Sequence, residues 1–209
     1  LDSNHYLDRV LETTGGMRAA LWGEPGAVFY RNAIEKLQLS RNRFVLMTTN
    51  FASGNPALGR QGSLKWDRAL PGWNPSQEEW RDNRSQRDPL LQTVFAQAAH
   101  RITEATGLDV VIRPHPAESL KTWRSLASGN KRIHVVRRGD VTPWIQASEM
   151  VIQNSCTTGL EAITTGVPTV SFSPDLKIPD PLEDSPANKL AIKASSVEEV
   201  VSVVSRLET

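Results

Sequence analysis

Residues 150–172 read MVIQNSCTTGLEAITTGVPTVSF, and this stretch decides the fold class. Met150–Gln153 is a short apolar run, which is typical of a strand buried on both faces of a parallel sheet. The turn NSCTTG leads into a predicted helix over 158–165, and the following Gly166 is a common helix terminator. Thr169–Phe172 then predicts a second strand. Strand, helix and strand in this order predict a βαβ unit with parallel strands.

The same alternation extends in both directions along the chain. Toward the amino terminus, Arg43–Asn50 predicts a buried strand, and 76–106 has the apolar spacing of a long helix. Ser76 and Glu79 resemble a capping box for that helix, and Pro89 is a point where it would break. The other predicted elements are a helix over 28–39, strands at Asp109–Arg113 and His134–Arg137, helices over 120–127 (capped by Ser119), 142–147 and 196–207, and long loops over 52–74 and 173–188. We therefore expect an α/β fold with a doubly wound, mostly parallel, Rossmann-like sheet.

The composition excludes several classes of protein. The chain has 209 residues, with 24 Lys and Arg against 23 Asp and Glu, which gives a net charge of +1. This balance argues against nucleic-acid binding through a basic surface. The single cysteine, Cys156, excludes an intrachain disulfide and a cysteine-based zinc site, and no apolar run is long enough to span a membrane. Because the chain begins with Leu1 instead of Met, we expect a piece of a longer protein, with a leader or linker over 1–40 and one Rossmann-like domain over 41–209.

The strongest candidate site is the NSCTTG turn, which joins the predicted strand Met150–Gln153 to the helix predicted over 158–165. A helix N-terminus offers free N–H groups and the positive end of its dipole, which suits a phosphate. Ser155, Thr157 and Thr158 would add hydroxyl donors. Gly159 would let a ligand approach the backbone closely. Helix capping by Ser and Thr explains the same residues without a ligand, and Glu161 either binds a ribose diol or interacts favourably with the helix dipole.

A second candidate, RPHP, follows the predicted strand Asp109–Arg113. Its two prolines hold an extended turn that places His115 at the end of the strand. Arg113 could pair with a phosphate in bidentate fashion, and His115 could donate to a phosphate oxygen or a sugar hydroxyl. The alternative is a rigid loop with an exposed histidine. Since RPHP and NSCTTG both follow parallel strands, we expect them at the same edge of the sheet.

Other candidates are weaker. Thr49 and Asn50 end the predicted strand Arg43–Asn50, where they would contact a substrate or form a polar turn. Cys156 is interpreted as a small core-side residue and not as a nucleophile. Trp66, Trp73 and Trp80 crowd the long loop and the helix after it, where they would stack on a sugar or plug a hydrophobic gap. The sequence holds no phosphate-binding P-loop, HExxH or GxSxG motif, and its histidines do not cluster with acidic residues, so we expect no metal site.

The order of these motifs resembles that of the bacterial surface-carbohydrate (polysaccharide) biosynthesis proteins, a family similar to glycosyltransferases of the GT-B type. The resemblance covers about residues 15–175. The motifs that carry it are FVLMTTNF (44–51), RPHP (113–116), Trp123, VVRRGDVTPW (135–144), NSCTTGLE (154–161) and GVPTVSF (166–172). It implies the C-terminal, donor-binding half of a two-domain enzyme. The acceptor-binding half, which often supplies the general base, is absent or reduced to 1–40.

The resemblance also implies roles for particular residues. In related transferases that use CMP-activated acidic sugars such as sialic acid or Kdo, an HP motif and a downstream Ser/Thr motif hold the donor phosphate. Here these would be His115-Pro116 and Ser155, Thr157 and Thr158. In similar UDP-GlcNAc 2-epimerases a glutamate of the equivalent helix binds ribose, which implies that role for Glu161. His115 is the candidate catalytic residue, and stabilisation of the departing phosphate would require neither a metal nor a cofactor.

The expected function is donor binding in a glycosyltransferase that makes bacterial surface polysaccharide. Its partners would be a nucleotide-sugar donor and a saccharide or lipid-linked acceptor, and turnover by this chain alone is not expected. The expected location is the cytoplasm, including the inner face of the membrane if regions outside this chain associate with it. The alternatives are an enzyme like UDP-GlcNAc 2-epimerase, a polyol-phosphate transferase that prefers CDP-glycerol, and a non-catalytic GT-B-like binding module. The oligomeric state, the nucleobase and the sugar stay open.

Overall fold

The computed structural model describes residues 43–69, 75–137, 139–180 and 182–208. Within these residues the chain forms one six-stranded sheet in the order β3-β2-β1-β4-β5-β6, and all neighbouring strands are parallel. The strands are β1 Phe44–Thr48, β2 Asp109–Arg113, β3 Ile133–Val135, β4 Met150–Gln153, β5 Thr169–Phe172 and β6 Ile192–Ala194. The predicted α/β class with a doubly wound, Rossmann-like parallel sheet is therefore confirmed.

Helices cover both faces of the sheet. They are α1 Gly59–Arg68, α2 Pro75–Thr106, α3 Leu120–Leu126, α4 Thr142–Ala147, α5 Thr157–Thr164, α6 Pro186–Leu190 and α7 Val197–Ser205, followed by a 3-10 turn at Arg206–Glu208. Side chains of α2, α3 and α7 pack on one face, and side chains of α4 and α5 pack on the other. The sheet is thus the middle of three layers, as its apolar strands predict.

The central strand β1 shows why the sheet must be covered on both faces. Successive strand residues point to opposite faces. Val45 and Met47 contribute to the core under α2, α3 and α7, whereas Phe44 and Leu46 contribute to the core under α4 and α5. All four side chains are fully buried. Because both faces of this strand are apolar, helices must cover the sheet on both sides.

The largest difference from the predicted elements concerns α2 and the segment before it. The predicted break at Pro89 does not occur, because α2 is continuous from Pro75 to Thr106. The proline ring packs against Gly54 so closely that a Cβ at that glycine would lie 2.4 Å from Pro89 Cδ. The predicted loop over 52–74 was wrong for Gly59–Arg68, which is helical. Ser76 lies inside α2 and not before it.

Other boundaries differ by a few residues. Strand β3 covers Ile133–Val135, one residue earlier at its start than predicted and two earlier at its end. Strand β6 and helix α6 were not predicted, since each is only a few residues long. Ser119 precedes α3 but its side chain makes no cap hydrogen bond. The predicted helix over 28–39 and the leader over 1–40 lie outside the described residues, so the predicted domain boundary stays a prediction.

None of the helices in the described part of the chain is long and apolar enough to cross a membrane. Helix α2 has the length, with 32 residues, but many of its side chains are charged.

Candidate functional site

The switch point of the sheet lies between β1 and β4. These two strands are neighbours, while the chain proceeds from β1 toward β3 on one side and from β4 toward β6 on the other. In open sheets of this kind, ligands bind beyond the carboxyl ends of the strands at such a point. The structure brings the three predicted candidates to this edge, because Thr49 follows β1, His115 follows β2 and Ser155 follows β4.

The RPHP loop presents His115 to solvent. The His115 side chain is exposed, and its Nδ1 atom accepts a hydrogen bond of 3.2 Å from the backbone N–H of Ala117. A neutral imidazole with Nδ1 as acceptor carries its proton on Nε2. The loop therefore offers a histidine whose outer nitrogen is a hydrogen-bond donor.

Glu118, which was not among the predicted site residues, holds this loop in place. Its fully buried carboxylate accepts from Thr49 Oγ1 at 2.7 Å, from His115 N–H at 3.0 Å and from Trp123 Nε1 at 2.8 Å. These bonds join the ends of β1 and β2 to helix α3. The hydroxyl of Thr49, a predicted substrate contact, is thus engaged within the protein. An acidic residue in a loop gives no sequence signal that it will be buried.

Two further residues fix the loops that follow β1 and β2. Arg137 Nη1 donates to the carbonyl oxygens of Pro116, at 3.0 Å, and Glu118, at 2.7 Å. Buried Asn55 donates from Nδ2 to the Ser119 carbonyl at 2.9 Å and accepts from Thr122 Oγ1 at 2.9 Å. Hydrogen bonds therefore hold the loops near His115 together, which keeps a binding group in one place.

The NSCTTG turn leads into α5, whose N-cap position is Cys156. The thiol is buried, as expected for a small core-side residue, and burial raises its pKa. A raised pKa disfavours the thiolate, which argues against a nucleophilic role. Thr158 Oγ1 lies 3.3 Å from Cys156 Sγ. Thr157, by contrast, is exposed and is the first residue of α5.

Ser155 has an unusual backbone conformation. Its φ of 53° lies in the left-handed region that non-glycine residues rarely adopt. Asn188 fixes it there, accepting from the Ser155 N–H at 2.9 Å and donating from Nδ2 to Ser155 Oγ at 2.8 Å. Ser155 Oγ also donates to the Leu182 carbonyl at 3.2 Å. The hydroxyl that was predicted to bind phosphate is therefore engaged within the protein, and the serine shapes the turn.

Gly159 is required for packing of α5 on β4. A Cβ at this position would lie 2.8 Å from Cγ and Cδ of Gln153. Gln153 itself is fully buried, and its Oε1 atom accepts from the Cys156 N–H at 2.9 Å. The close approach observed at Gly159 is thus between helix and strand, whereas the prediction placed a ligand there.

Arg113, Asp140 and Glu161 share one electrostatic environment. Arg113 donates to the Gly139 carbonyl, and burial lowers the pKa of its guanidinium while Asp140 raises it. Burial, followed by the charge of Asp140, raises the pKa of half-buried Glu161. The charge of Asp140 therefore acts on both the predicted ribose-binding carboxylate and the predicted phosphate-binding guanidinium.

Helix α2 adds two arginines that were not among the predicted site residues. Arg84 donates to the carbonyl oxygen of Asn50, just after β1, and pairs with Asp88 at 3.3 Å. Arg87, one turn further along, donates from Nη1 to Asn154 Oδ1, just after β4, at 3.5 Å. Both arginines are buried. Between them they contact the segments that follow both strands of the switch point, and only the position of α2 over the sheet reveals this.

Trp80 is the one predicted aromatic contact whose side chain is described. It is 38% exposed, and the Arg84 guanidinium carbon lies 5.3 Å from its ring centroid. This exposure does not fit a buried hydrophobic plug. Trp73 and the side chain of Trp66 lie outside what the structure describes. Across its described residues, the structure groups no three His, Cys, Asp or Glu side chains that could hold a metal ion.

The pKa of Asp88 predicts a pH-dependent stability. Burial raises it to about 6, although Arg84 and the Ser53 N–H oppose the shift. The folded chain therefore binds a proton here more readily than the unfolded chain, so this contribution is present at pH 4 and is lost as the pH rises through about 6. We expect the wild type to lose about 2 kcal/mol relative to Asp88→Asn between pH 4 and pH 7.

Urea unfolding of both proteins at several pH values measures this difference. Asp82→Asn is the control, because Asp82 is an exposed acidic residue of the same helix. If the free energies of unfolding of wild type and Asp88→Asn differed by the same amount across this pH range, the assigned pKa would be contradicted.

The fold places this chain among Rossmann-like α/β domains of the kind found in GT-B enzymes. The UDP-GlcNAc 2-epimerase of Methanocaldococcus jannaschii, in complex with UDP-GlcNAc and UDP, matches with a TM-score of 0.55 at 14% identity, over 95% of this chain and 46% of that protein. Another structure of this enzyme matches with a TM-score of 0.54 at 14% identity, over 93% of this chain and 45% of that protein. A putative UDP-N-acetylglucosamine 2-epimerase from Listeria monocytogenes is 21% identical over 84% of this chain and 38% of that one, but its TM-score of 0.46 is too low to support a shared fold.

These epimerases share the GT-B fold with glycosyltransferases. At such low identity the likeness concerns the fold alone, and this chain spans about half the length of the archaeal enzyme. No protein-family model matches the sequence, and a search of curated proteins found no match.

Proposed function

We propose that this chain binds a nucleotide sugar at the carboxyl edge of its sheet. The observation that carries the proposal is that β2 and β4 end at the same edge of the sheet, and the segments that follow them carry three different candidate groups. These are the exposed donor nitrogen of His115, the N-terminus of α5 with exposed Thr157, and the half-buried carboxylate of Glu161. A phosphate needs donors, and a ribose diol is a good partner for a carboxylate.

Each group has a distinct role in the proposal. The free N–H groups of α5 and the Thr157 hydroxyl bind the donor phosphate, and Arg113 adds positive charge nearby. His115 Nε2–H donates to an oxygen of the departing phosphate, and Glu161 accepts from the ribose hydroxyls. Donors that are already in place stabilise negative charge as the glycosidic bond breaks, so the step requires no metal ion.

The reaction that we propose is glycosyl transfer in bacterial surface-polysaccharide synthesis. The family resemblance of the RPHP and NSCTTGLE motifs supports it, as does a GT-B-like fold of about half the length of a complete enzyme of that fold. A second domain would then supply the acceptor site and the general base. A CMP-linked acidic sugar is the donor that the HP motif favours.

Epimerisation of a nucleotide sugar is the second candidate. The fold similarity to an enzyme solved with UDP-GlcNAc and UDP supports it. The two reactions differ in their need for an acceptor, since an epimerase changes its substrate without one. Product analysis of the full-length enzyme with nucleotide sugar alone therefore separates them: an isomer supports epimerisation, and a requirement for an acceptor supports transfer.

Replacement of His115 by alanine is expected to weaken nucleotide binding about tenfold, because it removes one hydrogen bond to a charged oxygen. Titration calorimetry with CMP, CDP, UDP and GDP measures the affinity for wild type and variant. His100→Ala is the matched control, since His100 lies toward the other edge of the sheet, where its ring contacts the Leu126 carbonyl at 2.9 Å. Failure of all four nucleotides to bind the wild type at millimolar concentration would refute the proposed function.

A further inference from the structure

Arg87 is a buried cation with few partners at the edge where ligands bind. Its side chain is 6% exposed and makes one long hydrogen bond, of 3.5 Å, from Nη1 to Asn154 Oδ1. Its Nη2 atom lies 2.9 Å from Asp180 Oδ2. Among the described residues, the buried Nε atom has no hydrogen-bond partner, and neither has Asp180 Oδ2, so the contact between the two side chains is ionic only. A guanidinium can donate five hydrogen bonds, and most of this capacity is unused.

The unused hydrogen-bonding capacity of Arg87 is informative because of where this residue lies. Asn154, its hydrogen-bond partner, begins the turn that leads to the N-terminus of α5. The guanidinium therefore flanks the predicted phosphate position from the side of helix α2. A purely structural arginine buried this deeply would normally have its donors satisfied, because an unmet buried donor is destabilising.

Asp180 lies between β5 and α6 in the chain, and β5 ends at the same edge of the sheet. Its Oδ1 atom accepts from the Leu182 N–H at 2.9 Å, and only Oδ2 faces Arg87. The Asp180 carboxylate thus places one oxygen at the guanidinium, where a phosphate could place two. Rotation of one side chain would free the guanidinium, without any rearrangement of the sheet.

We infer that Arg87 belongs to an anion subsite that Asp180 occupies in the free protein, and that a phosphate group of the ligand takes the place of the Asp180 carboxylate. The inference rests on the proposed function for the identity of the ligand, but not for the presence of the anion site. A phosphate suits the site because its tetrahedral oxygens can engage the fork of the guanidinium and the N–H groups of α5 together. Asp88 and Glu183 are the other acidic groups that act on Arg87, and Arg84 pairs with Asp88.

Inorganic phosphate is the probe that tests this subsite directly. Asp180→Asn keeps the side-chain shape but removes the competing charge, so we expect the affinity for phosphate to rise about tenfold. Thermal unfolding of the full chain in phosphate, compared with chloride at equal ionic strength, should show a larger stabilisation of Asp180→Asn than of wild type. Asp184→Asn is the matched control, because it removes the same charge from an exposed position of the same loop.

A double variant shows whether Arg87 is the group that responds. Arg87→Gln with Asp180→Asn leaves a neutral pair, which avoids an uncompensated buried charge. Its response to phosphate should return to the wild-type level. A response of Asp180→Asn equal to that of Asp184→Asn, or one retained in the double variant, would overturn the inference. So would an Asp180→Asn protein that is unfolded in chloride and does not refold in phosphate.

Calorimetry with nucleotides separates this inference from the proposed function. If both hold, Asp180→Asn binds the preferred nucleotide more tightly than wild type, and Arg87→Gln in that background reverses the gain. If phosphate stabilises Asp180→Asn but no nucleotide binds either protein, the subsite stands and the proposed function fails. If nucleotide binds wild type and Asp180→Asn equally well, the proposed function stands and the subsite is wrong.

Discussion

Replacing Asn188 with alanine is expected to lower the free energy of unfolding by about 3 kcal/mol. This buried amide is the centre of a polar network between β4, β5 and the loop before α6. Its Oδ1 atom accepts three hydrogen bonds, from Ser155 N–H at 2.9 Å, Ser171 Oγ at 2.8 Å and Gln153 Nε2 at 3.3 Å. Its Nδ2 atom donates to Ser155 Oγ at 2.8 Å and to the carbonyls of Leu182 and Glu183, each at 3.2 Å.

The large effect follows from what alanine would leave behind. Several buried donors and acceptors would lose their partner at once, and each unmet group costs about 1–3 kcal/mol, in part recovered by relaxation or entry of water. The turn would also lose the contacts that hold Ser155 in the left-handed region. We therefore expect weaker nucleotide binding in the same variant, because the N-terminus of α5 would no longer be fixed.

Urea unfolding and nucleotide calorimetry test both consequences. Lys189→Ala is the control, because Lys189 follows Asn188 in α6 but is exposed and makes only a surface ion pair with Asp184. Such pairs contribute little to stability. A loss below about 1 kcal/mol for Asn188→Ala would mean that the network is replaceable by water.

The second large effect is expected at Glu118. Glu118→Ala removes the acceptor of three donors, of which those on Thr49 and Trp123 are buried and that on His115 is partly buried. We expect a loss of about 3 kcal/mol in the free energy of unfolding. The loop that carries His115 would also become free to move, so nucleotide affinity should fall as far as it does in His115→Ala.

A second readout separates positioning of His115 from general destabilisation. In the wild type, the Ala117 N–H donates to His115 Nδ1 and favours the tautomer with its proton on Nε2. Nitrogen NMR of the imidazole reports this tautomer, which should become mixed in Glu118→Ala and be partly restored in Glu118→Gln. Glu104→Ala is the control, because Glu104 is exposed and forms only a surface ion pair with Arg101 among the described residues. An unchanged tautomer in Glu118→Ala would show that Glu118 does not position the histidine.

Much of the fold could be predicted because its signals are local. The bounds of β2, β4, β5 and α4 agree with the predicted ones, since each strand is a short apolar run between turn residues. The prediction failed where a local rule was overridden. Pro89 breaks helices in isolation, but here Gly54 provides room for its ring and α2 continues.

The candidate motifs were predicted to share one edge of the sheet, and they do so for a general reason. Parallel strands end at a common edge, so motifs that follow strands must share that edge. Which of those residues stay available to a ligand was not predictable. Thr49 and Ser155 have the hydroxyl groups that suggested binding, but Glu118 and Asn188 engage them. His115, Thr157 and Glu161 remain open to a partner molecule in the proposal.

Sequence alone was sufficient for the alternation of strands and helices, the burial of the sheet on both faces and the edge at which polar motifs gather. All three depend on the identity of residues within one element and the turn beside it. Tertiary structure was required for the strand order and for the buried polar pairs at Glu118, Arg87 and Asn188. Their partners are distant in the chain, 69 residues apart for Thr49 and Glu118 and 67 for Arg87 and Asn154. A charged or amide side chain has many possible partners in a sequence, and only packing selects one and excludes water from the pair.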